Sequence, residues 1–148
     1  MLSAFMLLTL IAATPQPVPT PQALTAITLQ APHVRLRVQV ARTEGERERG
    51  LMGVRVLRAH TGMLFVFDND APVEFWMKDT LVPLDMVFIG NDGIVRNVAA
   101  DVPVVALDTP DSRIPRRDGI GRYVLELPAR EARQDGLAPG ARLYGLPP

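Results

Sequence analysis

The sequence predicts a mainly β protein, an antiparallel sandwich or barrel of jelly-roll-like type with two short helices. Short apolar or alternating stretches recur from residue 24 onward, and they amount to about eight candidate strands. Turn signals separate them, and Gly90–Gly93 is the strongest hairpin signal. Long helical periods do not alternate with these stretches, so a parallel sheet of strand–helix–strand units is not predicted.

Three segments follow from length and composition. Residues 1–13 are uncharged and almost wholly apolar, and they end in small residues, which predicts a cleaved signal peptide. The run is too short to span a bilayer, which needs about 20 residues. An uncleaved anchor and a buried N-terminal helix are the alternatives. Residues 14–23 are proline-rich and predict a linker, and residues 24–148 predict a single domain. We therefore expect an exported protein, periplasmic or extracellular.

The first elements of the domain show a change of period. Apolar residues alternate with polar ones from Val34 to Val40, which predicts a strand with one wet face. Thr43 and Glu46 then have the spacing of a helix capping box, so we predict a helix from about Glu44 to Met52.

Apolar runs separated by turn residues account for the rest. A turn is predicted at 68–70, an edge strand or loop at 102–107, and a turn-rich loop at 109–121. Pro128 suits the first turn of a helix running through Gln134. Further strands are predicted at 63–67, 75–77, 84–89, 94–98, 123–127 and 142–144.

Charge and cysteine content exclude several classes of function. Sixteen basic and sixteen acidic side chains balance, so nothing predicts a nucleic-acid partner or an anionic membrane surface. A membrane contact is expected only through the N-terminal segment, if it is retained. The chain has no cysteine, which excludes disulfides and thiolate chemistry. His33 and His60 are the only histidines and lack metal-ligand spacing, so no metal or other cofactor is predicted.

The segment 75–85 carries the chemistry that the sequence offers. It holds the only Trp and the only Lys of the chain, together with two aspartates, between apolar stretches. Polar groups set between buried strands are suited to form a site. The candidate ligand-binding residues are Trp76, Lys78, Asp79, Asp85, Arg49 and His60.

Each candidate also has a structural interpretation. Lys78 could act as a Schiff-base or general-base lysine, or form a surface salt bridge. Asp79 and Asp85 could form an acid/base pair, but the turn at Pro83 favours backbone capping for Asp85. Trp76 could stack on a flat ligand, and core packing is the favoured alternative. Arg49 is a helix-face residue or an anion anchor.

The order of several motifs resembles the DUF192 family, also called UPF0127. The resemblance rests on Arg-Gly-Leu-Met at 49–52, the apolar run 62–67, the 75–85 segment and Tyr-Val-Leu-Glu-Leu at 123–127. It covers roughly residues 34–143, and it implies a small, mainly β, jelly-roll-like domain that is often exported. It implies no biochemical activity.

The chain departs from that family in two places. Asp79 stands where the family usually has Asn, and an ionised carboxylate only accepts hydrogen bonds whereas an amide also donates them. Residues 112–120 form an elaborated segment before the Tyr-Val-Leu-Glu strand. If that segment borders the site, it alters which ligand fits.

Three functions remain open on the sequence. We rank first a binding module for a small molecule, a carbohydrate or small anion, in a cleft near Trp76 and Lys78. An enzyme using Lys78 with Asp79 or Asp85 requires these groups to converge. A structural domain that binds another protein of the cell envelope requires an exposed apolar patch.

Overall fold

The computed structural model describes residues 17–148. The predicted signal peptide at 1–13 and the first part of the predicted linker, 14–16, lie outside the described residues. Within residues 17–148, no helix has both the length and the apolar character needed to cross a bilayer.

The described chain forms six strands and two short helices, with a 3-10 turn at Asp111–Arg113. In chain order the elements are β1 (Ala26–Gln30), β2 (Arg35–Ala41), α1 (Glu44–Arg49), β3 (Thr61–Trp76), β4 (Leu84–Ile89), β5 (Val95–Val102), β6 (Arg116–Pro128) and α2 (Glu131–Gln134).

All six strands belong to one sheet, in the order β1-β2-β3-β6-β4-β5. The β2–β3 pair is parallel and the other pairs are antiparallel, so the sheet is mixed. The mainly β class and the two helices are confirmed. A closed barrel is wrong, because β1 and β5 are edge strands that do not pair with each other. The predicted sandwich or jelly roll is not confirmed, since these strands form one sheet.

Strand β3 is longer than predicted and strongly bent. The predicted turn at 68–70 lies inside it, where the register against β6 shifts between Val66 and Ala71. The rings of Phe65 and Phe75 meet edge to face, with centroids 4.9 Å apart. Ten residues of straight strand would span roughly 33 Å, so β3 folds back over its own side chains. The bulge therefore replaces the predicted turn between two separate strands.

Three further boundaries differ from the prediction. Strand β6 begins at Arg116, inside the predicted loop at 109–121, because it pairs with the second half of β3. Helix α2 begins only at Glu131, since Arg130 has a left-handed backbone with φ 76°. At 142–144 the chain forms two isolated bridges, Gln30 with Tyr144 and Ile94 with Arg142.

Helix α1 keeps the predicted start and ends early. Its N-cap Thr43 accepts a hydrogen bond from the Glu46 backbone N–H, and the Glu46 carboxylate accepts one from the Thr43 N–H, which completes the capping box. The helix ends at Arg49 because Gly50, with φ 44°, turns the chain. A side chain at Gly50 would stand 3.2 Å from the Phe65 ring, so this close approach also favours glycine.

Two apolar clusters cover the two faces of the sheet. Alternation along β3 sends Leu64 and Val66 to one cluster and Met63 and Phe65 to the other. The second cluster also holds Phe75 and reaches the carboxyl end of α1 through its buried neighbours. Trp76 and Lys78 therefore lie next to Phe75 and Met77, which belong to this second cluster.

Candidate functional site

Trp76 and Lys78 point away from the core. Phe75 and Met77 are buried, whereas Trp76 and Lys78 are half-buried, as the alternation of a strand requires. The favoured core position for Trp76 is thus not what the structure has, because the side chain lies at the edge of the apolar cluster.

Two cations lie over the Trp76 ring. The Arg116 guanidinium carbon is 4.0 Å from the ring centroid and the Lys78 Nζ is 5.2 Å from it. Arg116 is the cross-strand neighbour of Trp76 on β6. Each contact of this kind is worth about 0.5–1 kcal/mol when exposed. A sugar that stacked on this ring would have to displace a cation.

Both cations also have acidic partners at the surface. Lys78 Nζ lies 2.7 Å from Asp111 Oδ2, and Arg116 Nε lies 3.6 Å from Glu74 Oε1. Asp111 directly precedes the elaborated segment 112–120, and Arg116 lies within it. That segment therefore borders the site, as Asp111 and Arg116 each contact one of its cations or its Trp76 ring.

A small cavity of about 30 Å³ opens between the end of α1 and the end of β3. This volume has room for about two water molecules, or for one small polar group. The cavity is lined by residues that include Arg49, Gly50, Phe65, Trp76, Lys78 and Glu126.

Glu126 is the site residue that the sequence analysis missed. Its side chain is buried on β6, only 4 % exposed, and it forms no ion pair with any residue of 17–148. Desolvation raises its pKa to about 8, so the carboxyl group is mostly protonated at pH 7. The sequence does hold one sign of it, since Glu126 is the single acid within the apolar strand Tyr123–Leu127. Burying an unpaired charge costs free energy, so an acid at such a position needs a special environment.

An open groove continues from the cavity. It has a volume of about 420 Å³ and shares Glu48, Arg49, Met52, Trp76 and Lys78 with the cavity lining. Pro19 forms part of its wall. Together, the cavity and the groove form one continuous depression, which we call the Trp76 groove.

The end of the predicted linker lies against this groove. Gln22 Nε2 donates to the carbonyl oxygens of Glu46, at 2.8 Å, and Gly50, at 3.0 Å. The Arg49 guanidinium donates to the Thr20 carbonyl. This segment thus adds donors to carbonyls at the end of α1, where the Glu46 carbonyl also accepts from the Gly50 N–H.

The two aspartates of the 75–85 segment have backbone roles. Asp79 has a left-handed backbone, φ 50°, and its carbonyl accepts from the Gly53 N–H at 2.9 Å. Asp85 is buried, and its two carboxylate oxygens accept from the N–H groups of Asp101, at 2.7 Å, and Ala132, at 2.9 Å. Neither aspartate lines the Trp76 groove, and Lys78 pairs with neither of them.

His60 belongs to a different part of the molecule. It precedes β3, at the opposite end of that strand from Trp76, and its Nδ1 lies 3.2 Å from Asp135 Oδ1. The structure therefore brings together Arg49, Trp76 and Lys78, and adds Glu126, whereas Asp79, Asp85 and His60 lie outside the groove.

The comparisons with known proteins agree with this fold. A family model, DUF192, described as "Uncharacterized ACR", matches residues 26–145. The chain belongs to the DUF192 family. No protein among the curated proteins matches it.

Two solved structures are similar to this DUF192 chain. One is a "putative transcription regulator" from Sinorhizobium meliloti, with a TM-score of 0.74 and 31 % identity over 84 % of this chain and 97 % of that one. The other is a protein of unknown function from Novosphingobium aromaticivorans, with a TM-score of 0.69 and 30 % identity over 90 % of this chain and 94 % of that one. Both relatives share the fold of this chain, and neither is named for a reaction.

Proposed function

We propose that this DUF192 protein is an exported module that binds a small organic anion with a terminal carboxylate in the Trp76 groove. The observation that carries the proposal is the position of Glu126. A buried, mostly protonated carboxyl group lines the same small cavity as Arg49 and Lys78.

The chemistry of these three groups suits a carboxylate. A protonated carboxyl group donates one hydrogen bond, which an incoming carboxylate can accept. Arg49 and Lys78 supply positive charge, and charge-assisted hydrogen bonds to a carboxylate are roughly twice as strong as neutral ones. The cavity has the size of one such head group, and the groove can hold the rest of a small molecule.

An anion fits better than the neutral sugar that the sequence analysis also allowed. A stacked sugar needs an open Trp face, but Arg116 and Lys78 lie over the Trp76 ring. These same cations would attract an anion rather than compete with it.

Export is part of the proposal because of the apolar segment at 1–13, which has the length of a signal-peptide core. The periplasm or the extracellular space would then be the place of binding. A role in transcription, which the description of one relative raises, finds no support in the balanced charge of the chain.

The alternatives from the sequence are less well supported. An enzyme that uses Lys78 with Asp79 or Asp85 needs these groups to converge, but Lys78 pairs with Asp111 and Asp85 caps two backbone N–H groups. An envelope-protein interaction domain needs a contiguous apolar patch, but the large exposed apolar side chains of residues 17–148 are few. They are Val56, Val104, Leu107, Ile120 and Tyr144.

Calorimetric titration of the full-length chain tests the proposal. The probes are small mono- and dicarboxylates and sugar acids, each paired with its neutral analogue. We expect a carboxylate to bind and its neutral analogue to fail. Arg49→Gln and Lys78→Met should each weaken binding at least about tenfold, which corresponds to about 1.4 kcal/mol. Arg96→Gln, which removes an exposed cation of β5 outside the groove, is the matched control and should bind as the wild type does.

The pH dependence gives a second readout. Affinity should fall as the pH rises through about 8, because ionised Glu126 would repel the anion. Glu126→Gln keeps an N–H donor and should remove this decline. Preferential binding of neutral sugars, or an equal loss in Arg96→Gln, would contradict the proposal, provided that the variants melt cooperatively.

A further inference from the structure

A second cluster of ionisable groups lies at α2, outside the Trp76 groove. Glu131 and Asp135 are four residues apart, at the two ends of this short helix, and both are buried. Residues at this spacing lie on the same side of a helix. Asp85 is buried nearby, but two backbone N–H groups satisfy its carboxylate.

His60 completes the cluster from the start of β3. Its backbone N–H donates to Glu131 Oε2 at 2.9 Å, and its carbonyl accepts from the Arg37 N–H at 2.9 Å. These contacts hold its left-handed backbone, φ 57°. The ring Nδ1 then lies 3.2 Å from Asp135 Oδ1.

One buried oxygen of the cluster has no partner. Asp135 Oδ2 is inaccessible to solvent and makes no hydrogen bond with any residue of 17–148, while the side chain as a whole is 3 % exposed. An unpaired, buried carboxylate oxygen is costly, so native proteins normally supply a donor or an ion to it. Glu131, the second carboxylate of the cluster, is also buried, at 8 % exposed.

The geometry points to a divalent-cation site of the zinc type formed by His60, Glu131 and Asp135. One ligand atom from each residue lies within 4.8 Å of the others. Ligand atoms around a tetrahedral ion with bonds of about 2.0–2.1 Å lie roughly 3.3 Å apart, close to the separation between His60 Nδ1 and Asp135 Oδ1.

The donor set determines the class of metal. One imidazole and two carboxylates suit Zn²⁺, which is intermediate between hard and soft metal ions and binds both nitrogen and oxygen. Mg²⁺ and Ca²⁺ are hard ions that take oxygen ligands in larger numbers. The His60 backbone N–H donates to Glu131 Oε2, so the other carboxylate oxygen, Oε1, remains available for the ion. His60 is 47 % exposed, so water can reach the fourth position. The ion would tie α2 to the beginning of β3.

The test uses Zn²⁺ alone, added to full-length protein that has been treated with a chelator. Titration calorimetry should give one equivalent of Zn²⁺ per chain, and Mg²⁺ should not compete for it. His60→Asn, which suits a left-handed backbone, and Asp135→Asn should each lower Zn²⁺ affinity at least a hundredfold. His33→Asn removes the only other histidine, whose ring Nδ1 lies 3.0 Å from the Gln134 carbonyl, and should leave the affinity unchanged.

Imidazole ring nitrogen shifts, measured by NMR on the unaltered protein, keep the test independent of variant folding. On addition of Zn²⁺, the signals of one histidine should move and those of the other should stay, and His33→Asn assigns them. Absence of stoichiometric binding overturns the proposal and leaves only a His60–Asp135 contact. Loss of binding in His33→Asn, or retention in His60→Asn, also overturns the assigned ligands.

Discussion

Glu126→Gln should make the protein more stable, and increasingly so as the pH rises. The folded protein holds this carboxyl group at a pKa of about 8 because of desolvation, against a pKa of 4.5 for an unperturbed glutamate. Between these two values, the unfolded chain releases the proton of Glu126 while the folded chain retains it. The folded state therefore binds more protons, and its stability decreases as the pH rises through this window.

The size of the effect follows from the two pKa values. A difference of one between the folded and unfolded pKa corresponds to about 1.36 kcal/mol, and integration of the linkage relation from pH 5 to pH 8 gives a loss of roughly 3–4 kcal/mol from this residue. The amide of Glu126→Gln has nearly the same shape and does not titrate, so the variant avoids this loss. The stability difference between variant and wild type should therefore widen by roughly 3–4 kcal/mol over this pH range.

Urea denaturation at pH 5, 6, 7 and 8, followed by far-UV circular dichroism, measures this difference. Glu74→Gln is the matched control, because it changes the same chemical group at an exposed position of β3. Its stability difference from the wild type should stay nearly constant with pH. If the Glu126→Gln and wild-type curves run parallel from pH 5 to pH 8, the buried carboxyl group is not held protonated, and the carboxylate-binding proposal loses its basis.

Two smaller changes test the local backbone. Asp79→Asn should change stability by less than about 0.5 kcal/mol, whereas Asp79→Val should cost about 1–2 kcal/mol, because β-branched residues strain a left-handed backbone. Equal losses in both variants would mean that the carboxylate, rather than the backbone, matters there. Thr43→Ala should cost about 1 kcal/mol through loss of the α1 capping box, and Thr43→Ser should keep most of it, both measured by urea denaturation. An equal loss in Thr43→Ser would exclude the hydroxyl cap as the cause.

Local patterns predicted individual strands well, and long-range pairing set the rest. The alternation at 34–40 and the turn at 90–93 depend on neighbouring residues only, and both are found in β2 and in the β4–β5 connection. The polar residues 68–70 instead predict a turn, yet they continue β3 because β6 pairs along both halves of it. The local sequence of residues 68–70 does not show that β6 will pair with both halves of β3.

The candidate site shows the same division. Trp76, Lys78 and Arg49 stood out by rarity or motif, and they meet in one groove. Glu126 was missed because it lies within an apolar strand motif, where only the solvation cost of its charge marks it as unusual. The sequence points to the side chain of Asp79, but its left-handed backbone angle is the observed constraint, and Asp and Asn adopt that angle more readily than most residues.

The arrangement of β3 and β6 also sets when this chain can fold. These two central strands are joined by the most extensive pairing in the sheet, but about 40 residues of chain, including β4 and β5, lie between them. Topologies dominated by such distant pairings fold in milliseconds to seconds rather than microseconds. This central pair cannot form until β6 has been synthesised, after β4 and β5. For the export proposed above, this late pairing would leave the nascent chain open while it is threaded through a secretion channel.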